Sequence, residues 1–220
     1  MSCFESPCIA ASNAPTRPGS PIFGPAWIGS GFHQMGPWEI SAFGLGGNNT
    51  IIGNSQGNGL YGGSGSDTLL GMGGNDFIDG GPGKDFIDGG SGNDTLFGGP
   101  GVDTILGGAG HDWIDGGLDH DTLLGESGDD HIDGNAGTDL IFGGAGNDNL
   151  LGGDGSDVIY GGADDDYIDA GTNTNGADFV DAGSGNDVIF GDKGPGRHNE
   201  DPCYDYDDSG YSKSFGQADT

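Results

Sequence analysis

The sequence predicts an all-β fold: a solenoid of parallel strands built from 16 nonapeptide units, two units per turn. Three observations carry the prediction. One nine-residue unit recurs from Gly44 to Phe190, as in Gly62-Gly63-Ser64-Gly65-Ser66-Asp67-Thr68-Leu69-Leu70, with a single copy, Ala170 to Asp181, lengthened by three residues. Its eighth position is aliphatic every time: Ile51, Leu60, Leu69, Ile78, Ile87, Leu96, Ile105, Ile114, Leu123, Ile132, Ile141, Leu150, Ile159, Ile168, Val180 and Ile189. Its sixth position is Asp from the third unit onward: Asp67, Asp76, Asp85, Asp94, Asp103, Asp112, Asp121, Asp130, Asp139, Asp148, Asp157, Asp166, Asp178 and Asp187. The first two units carry Asn49 and Asn58 there.

Within a unit, the first six residues are rich in Gly, Asn and Asp, which suits tight turns and weakens regular elements. The last three, such as Thr104-Ile105-Leu106, are the strand-competent part. A strand that short survives only in a ladder with its copies. Alternation turns position eight to one face and positions seven and nine to the other. One aliphatic residue per unit makes a thin core, and two opposed strands per turn enclose it economically. Loops then stack every 18 residues, with Asp67 over Asp85 and Asp76 over Asp94. Eight turns give a rod roughly 38 Å long at ~4.8 Å per layer.

Stacking sets a charge problem. Two columns of carboxylates with members ~5 Å apart repel strongly. The formal charge is -30, from 35 acids against 5 bases, so basic side chains cannot offset it. A hard divalent cation can. Carboxylates and turn carbonyls are oxygen ligands, and Ca²⁺ takes six to eight oxygens in forgiving geometry, whereas Mg²⁺ demands a tight octahedron. Zinc and copper want His and Cys, which the repeat does not supply in register. Pairing each Asp with the one two units ahead gives 12 stacked pairs, hence about a dozen ions. Without metal, a Gly-rich acidic chain with so thin a core is expected to stay largely unfolded, so that binding and folding are one event.

These units resemble the Gly-Gly-x-Gly-x-Asp-x-aliphatic-x consensus of the RTX (hemolysin-type) calcium-binding repeat proteins, over residues 44–190. The resemblance implies a right-handed parallel β-roll with calcium between adjacent turns, type I secretion through an unprocessed C-terminal signal, and folding outside the cell. It implies as ligands the sixth-position carboxylates from Asp67 to Asp187. With them come carbonyls of the glycine loops: Gly63, Gly65, Gly81, Gly83, Gly90, Gly92, Gly99, Gly101, Gly108, Gly110, Gly144, Gly146, Gly153 and Gly155. Several units depart from the consensus. Neutral Asn49 and Asn58 predict a first turn that binds weakly or acts as a cap. Gln56, Asp119 and Asp164 replace the fourth-position glycine, adding a side-chain oxygen or distorting the loop. Leu45, Asn54, Met72, Glu126 and Asn135 replace the second. The insertion Asn173-Thr174-Asn175 should bulge without breaking the stack.

Outside the repeat, residues 1–43 are punctuated by Pro7, Pro15, Pro18, Pro21, Pro25 and Pro37, against long helices or strands. Their apolar residues, Trp27, Ile28, Phe32, Trp38, Ile40 and Phe43, fit a cap on the first turn. No cleavable secretory signal and no membrane span is read. Residues 191–220 read as an acidic flexible tail, and its ending, Gln217-Ala218-Asp219-Thr220, is not apolar. Cys3, Cys8 and Cys203 do not form a disulfide framework; a Cys3–Cys8 bridge and free thiols are both open. His33, His111, His120, His131 and His198 follow no ligand spacing and read as incidental surface residues.

The two outer faces should differ. On the odd-unit sheet, position nine is read as Tyr61, Leu70, Asp88, Leu106, Leu124, Phe142, Tyr160, Asp181; on the other, as Asp79, Phe97, Asp115, Asp133, Leu151, Asp169, Phe190 after Ile52. The apolar row from Leu106 to Tyr160 predicts a contact face for a protein partner, a second copy or the N-terminal segment. The leading functional reading is a secreted calcium-binding module that folds and stabilises an exported protein. The alternative is a surface-binding solenoid, an adhesin or ice-binder, for which Thr68, Thr104 and Thr122 begin a lattice that Phe86 and Leu140 break. The chain is read as no enzyme, since no zinc-protease, nucleophile-elbow or phosphate-loop motif is present. Five basic residues exclude nucleic acid as a partner.

Overall fold

A computed structural model describes residues 26–171 and 177–191, together with the backbone of 205–206 and 212–213. The insertion at 173–175, the three cysteines, His198 and most of the tail lie outside the described residues.

The described residues contain strands and no helix. Strands alternate between two parallel sheets as the chain advances, which is the mark of a two-sided solenoid. The even-unit sheet runs β1 (Ala26–Ile28), β3 (Ser41–Gly44), β5 (Gly59–Tyr61), β7 (Phe77–Asp79), β9 (Thr95–Pro100), β11 (Trp113–Leu118), β13 (His131–Gly137), β15 (Asn149–Leu151), β18 (Tyr167–Asp169) and β20 (Val188–Phe190), with β16 (Asp154–Gly155) also on β13. The odd-unit sheet runs β2 (Gly31–Gln34), β4 (Asn49–Ile52), β6 (Thr68–Leu70), β8 (Phe86–Ser91), β10 (Thr104–Ala109), β12 (Thr122–Ser127), β14 (Leu140–Ala145), β17 (Val158–Ala163) and β19 (Phe179–Ser184). A short antiparallel ribbon, β21 (Asp205–Tyr206) with β22 (Ser212–Lys213), forms a third sheet.

Register follows the repeat. Ile87 pairs with Ile105, and Ile105 with Leu123, each 18 residues on. Past the lengthened unit the step becomes 21, Ile159 to Val180 and Ile168 to Ile189, so the ladder continues across the insertion. The whole position-eight column from Ile51 to Val180 is fully buried, and Ile189 at the open end is partly so.

The structure extends two sequence expectations and corrects a third. The ladder starts before Gly44: β1 pairs β3 and β2 pairs β4, so residues 26–44 add rungs to both sheets and lengthen the expected eight turns. Ala42 takes the aliphatic column's place opposite Leu60, His33 stands opposite Ile51, and Met35 closes the core. Secondly, many strands have six residues, not three, because positions two and three of the next unit rejoin the ladder after a bend at position one. Thirdly, the outer rows exchange their first members. Ile52 pairs with Leu70, and Tyr61 with Asp79, so Ile52 heads the odd-unit row and Tyr61 the other. Tyr61 and Leu70 are nine residues apart, half a turn, which places them on opposite sheets.

The bends depend on glycine where φ is positive. Second- and fourth-position glycines such as Gly63 (φ 94°) and Gly65 (φ 133°) lie in that region. Among the described residues, the five non-glycine residues with positive φ, Met72, Asp119, Glu126, Asn135 and Asp164, occupy the same two positions. Asp119 and Asp164 therefore follow the glycine backbone, with their side chains exposed rather than directed inward.

Candidate metal columns

Each loop delivers its aspartate to the interior. The sixth-position carboxylates from Asp67 to Asp166 are 1–3% exposed, and Asp178 is 9% exposed. Asp187, in the last coil, is half-buried. One oxygen of each is held by the coil before it. The backbone N–H of every sixth-position residue from Asn49 to Asp166 donates to Oδ1 of the Asp one turn on, at 2.6–2.9 Å. All fourteen predicted carboxylates are thereby brought into two columns, Asp178 and Asp187 included.

The second oxygen is different. Oδ2 of Asp67, Asp76, Asp85, Asp94, Asp103, Asp112, Asp121, Asp130, Asp139, Asp148, Asp157 and Asp166 is buried without a hydrogen-bond partner. It lies over the first-position α-carbon of its own unit, beside the first-position carbonyl of the next turn. A Cβ placed on Gly62 would fall 2.6 Å from Asp67 Oδ2 and 2.5 Å from Gly80 O; one on Gly98 would fall 2.7 Å from Asp103 Oδ2 and 2.6 Å from Gly116 O. Oxygen thus faces oxygen across a dry gap, an arrangement that costs free energy unless a proton or cation lies there.

Asn49 supplies an internal comparison. Its Nδ2 occupies the Oδ2 place, and this N–H group meets the Gly62 carbonyl at 3.5 Å. At this rung a neutral donor stands where later units put a carboxylate oxygen, while Asn58 sets a neutral Oδ1 beside the Gly71 carbonyl.

Burial sets the acidity of these groups. It is the largest influence, pushing Asp76, Asp85, Asp121, Asp130, Asp139 and Asp166 up to about 7, and Asp103, Asp112, Asp148 and Asp157 up to about 6. Asp67 and Asp94 also rise. The clamping backbone N–H pulls the other way, and column neighbours such as Asp103 beside Asp85 add to the rise.

Among the described residues no three His, Cys, Asp or Glu side chains converge on one point. A cation in a gap would therefore draw on at most two carboxylates and fill its shell with carbonyls, which is calcium's ligand chemistry and not zinc's. The predicted second- and fourth-position glycines stack turn on turn: Gly63 O lies against the Gly81 α-carbon, and Gly65 O against Gly83. Sequence reasoning did not single out the first-position glycines, whose α-carbons lie against the Oδ2 atoms. Their signal was present in a column unbroken from Gly44 to Gly161, in which alanine appears only at Ala170 and Ala182, the last two units.

Sequence reasoning also missed a second ladder. Along the even-unit loops, fifth-position side chains accept the backbone N–H one turn on, through Asn75, Asn93, His111, Asp129, Asn147 and Asp165. His111 and His120 accept through Nδ1 at 2.8 and 2.7 Å, and the His131 ring packs tilted against Trp113 with centroids 3.9 Å apart, so these histidines have structural roles.

A parallel two-sheet solenoid with buried aspartate columns between glycine turns defines a class of repeat proteins that bind cations between coils. The chain belongs to the RTX calcium-binding nonapeptide repeat family, whose model matches residues 41–69, 61–96, 88–123, 97–132, 115–150, 142–175 and 174–195. No curated protein and no solved structure matches the chain. Among the described residues no helix is long and apolar enough to cross a membrane.

Proposed function

We propose that this chain is a secreted β-roll that folds as Ca²⁺ fills about twelve interturn gaps, and that it serves as the folding and stabilising module of a protein exported by a type I route. The observation that carries this reading is the set of twelve buried Oδ2 atoms in two columns, each without a donor and each beside a carbonyl of the next turn. Asp67 to Asp166 would offer these oxygens, and the stacked glycine loops would offer the carbonyls. Bound calcium would supply positive charge to the two columns, and the chain's own part is to fix the carboxylates, exclude water and hold the turns open with glycine. Native mass spectrometry of the calcium-saturated chain should count about twelve ions. A count of two or three would reject the reading.

A second role, surface binding, is favoured by the outer face of the odd-unit sheet. From β10 to β17 its seventh and ninth positions are Thr104, Leu106, Thr122, Leu124, Leu140, Phe142, Val158 and Tyr160, all uncharged in a chain of -30, with Glu126 the exposed charge further along β12. Phe142 and Tyr160 stack there at 5.0 Å. The even-unit face is broken by Asp79, Asp115, Asp133 and Asp169. We place a protein partner or a second copy on this apolar row. Replacing Leu124 and Phe142 by Ser should lower self-association in sedimentation velocity, or partner capture, while leaving calcium stoichiometry intact. Unchanged association on both readouts would remove this role.

A further inference from the structure

The first two repeat units put amides where later units put carboxylate or glycine. Asn49 and Asn58 hold the sixth position, Asn54 the second and Gln56 the fourth. Each amide has a carbonyl to meet. Asn54 Nδ2 donates to the carbonyls of Gly36 and Glu39, both at 2.9 Å. Gln56 Nε2 donates to the Pro37 carbonyl at 2.6 Å, and Asn58 Nδ2 reaches the Glu39 carbonyl at 3.4 Å. Three carbonyls of one loop are thus met by three side-chain amides of the loop stacked on it.

The amides are held in orientation by their own backbone. The Asn54 N–H donates to Asn58 Oδ1 at 2.8 Å, and the Gln56 N–H to Asn54 Oδ1 at 2.9 Å. The Glu39 carboxylate turns back onto the Gly36 N–H and lies 3.4 Å from His33 Nε2. On the opposite edge Asn49 Nδ2 donates to Gly47 O at 3.0 Å and to Gly62 O at 3.5 Å. Asn49 thus gives the Gly62 carbonyl a donor that brings no charge to be neutralised, whereas Asn58 sets its uncharged Oδ1, held by the Asn54 N–H, beside the Gly71 carbonyl and turns Nδ2 to Glu39.

We infer that residues 31–58 form a metal-independent end cap in which neutral amides do the work that a cation does elsewhere, so that the two calcium columns begin at Asp67 and Asp76. The inference rests on the calcium reading of the later coils. It gives the stack a direction. A rung closed by amides keeps its form at calcium levels that empty its neighbours, and it presents a finished edge on which the next coil can order.

The test uses the full chain. Native mass spectrometry in saturating calcium compares wild type with Asn49→Asp and Asn58→Asp. Each variant should hold one more ion than wild type, because each restores a carboxylate facing the next turn's carbonyl. If wild type holds no calcium the underlying reading fails; if wild type holds calcium and neither variant gains an ion, the cap alone is overturned. Hydrogen exchange at sub-saturating calcium gives a second readout that needs no variant to fold. Peptides within 31–58 should exchange at least tenfold more slowly than those within 80–170, and exchange at equal or faster rates would overturn the cap. Replacing Asn54, Gln56 and Asn58 together by Ala should abolish that difference at an unchanged ion count, and loss of an ion would place metal in the cap and overturn it.

Discussion

Moving the calcium-loaded chain into excess EDTA at pH 7.5 is expected to erase both its strand circular dichroism and its cooperative melt. The cause is electrostatic. Twelve buried carboxylates carry an oxygen without a donor, and Lys84 is the one Lys or Arg between residues 44 and 190. Neighbouring charges ~5 Å apart repel by about 3 kcal/mol per pair at an effective dielectric near 20. Each carboxylate also loses its hydration on burial. Against this the roll sets one aliphatic side chain per unit, while ordering nine residues of which glycine is the commonest type. Protein interiors normally offset chain entropy with a broad apolar core, and this one has two facing files, almost all Ile, Leu and Val. On the proposed function, calcium linkage would then supply most of the folding free energy, since a ligand bound only by the folded state stabilises it in proportion to the logarithm of its concentration. Restoring calcium should restore both signals with a steep, cooperative titration, because each gap is shared by two coils. A chelated sample that melts as sharply and as high as the loaded one would sink the proposed coupling.

Much of this architecture could be read from two columns. A residue that is aliphatic in every unit has to face inward, and an Asp recurring two positions earlier has to follow it into the loop. Together they give Ile87 over Ile105 and Asp85 over Asp103 as the structure has them. Half-turn bookkeeping was harder. Tyr61 and Ile52 differ by one unit, and a slip of one unit moves a residue to the other sheet. The rungs before Gly44 carry no glycine–aspartate signal at all. Ala42 fills the inward column only because its neighbour in the ladder is Leu60, and Phe43 is recruited by stacking on Tyr61 at 4.5 Å with rings parallel to 1°. Contacts of that kind are tertiary and leave no period in the sequence. The amides of Asn54, Gln56 and Asn58 were visible only as departures from consensus. Their purpose appears once the loop at Gly36–Glu39 is seen above them, because the carbonyls they satisfy belong to a segment outside the repeat.

Acid should stand in for calcium. In the metal-free roll the buried carboxylates bind protons more tightly than they do in the unfolded chain, since burial lifts ten of them to about 6 or 7 from 3.8. The sign follows from linkage. A group whose folded pKa is raised contributes stability that is fully present below its unfolded value and is lost as pH rises through the folded one. The window here runs from about 4 to about 7, and it opposes the usual carboxylate pattern of loss on acidification. A proton on Oδ2 can donate to the carbonyl that Oδ2 faces, as Asn49 Nδ2 does to Gly62 O. Metal-free chain should therefore gain strand signal between pH 8 and pH 5, with a hydrogen-exchange-protected core in the coils from Asp76 to Asp166. Calcium and protons compete for the same oxygens, so the calcium midpoint should rise as pH falls across that interval. Binding at pH 6 should release protons, measured as a dependence of the calorimetric enthalpy on buffer ionisation. A metal-free chain equally unfolded at pH 5 and pH 8, with a calcium midpoint that does not move, would show that these oxygens are solvated in solution and that the dry gap between coils is not where the cation sits.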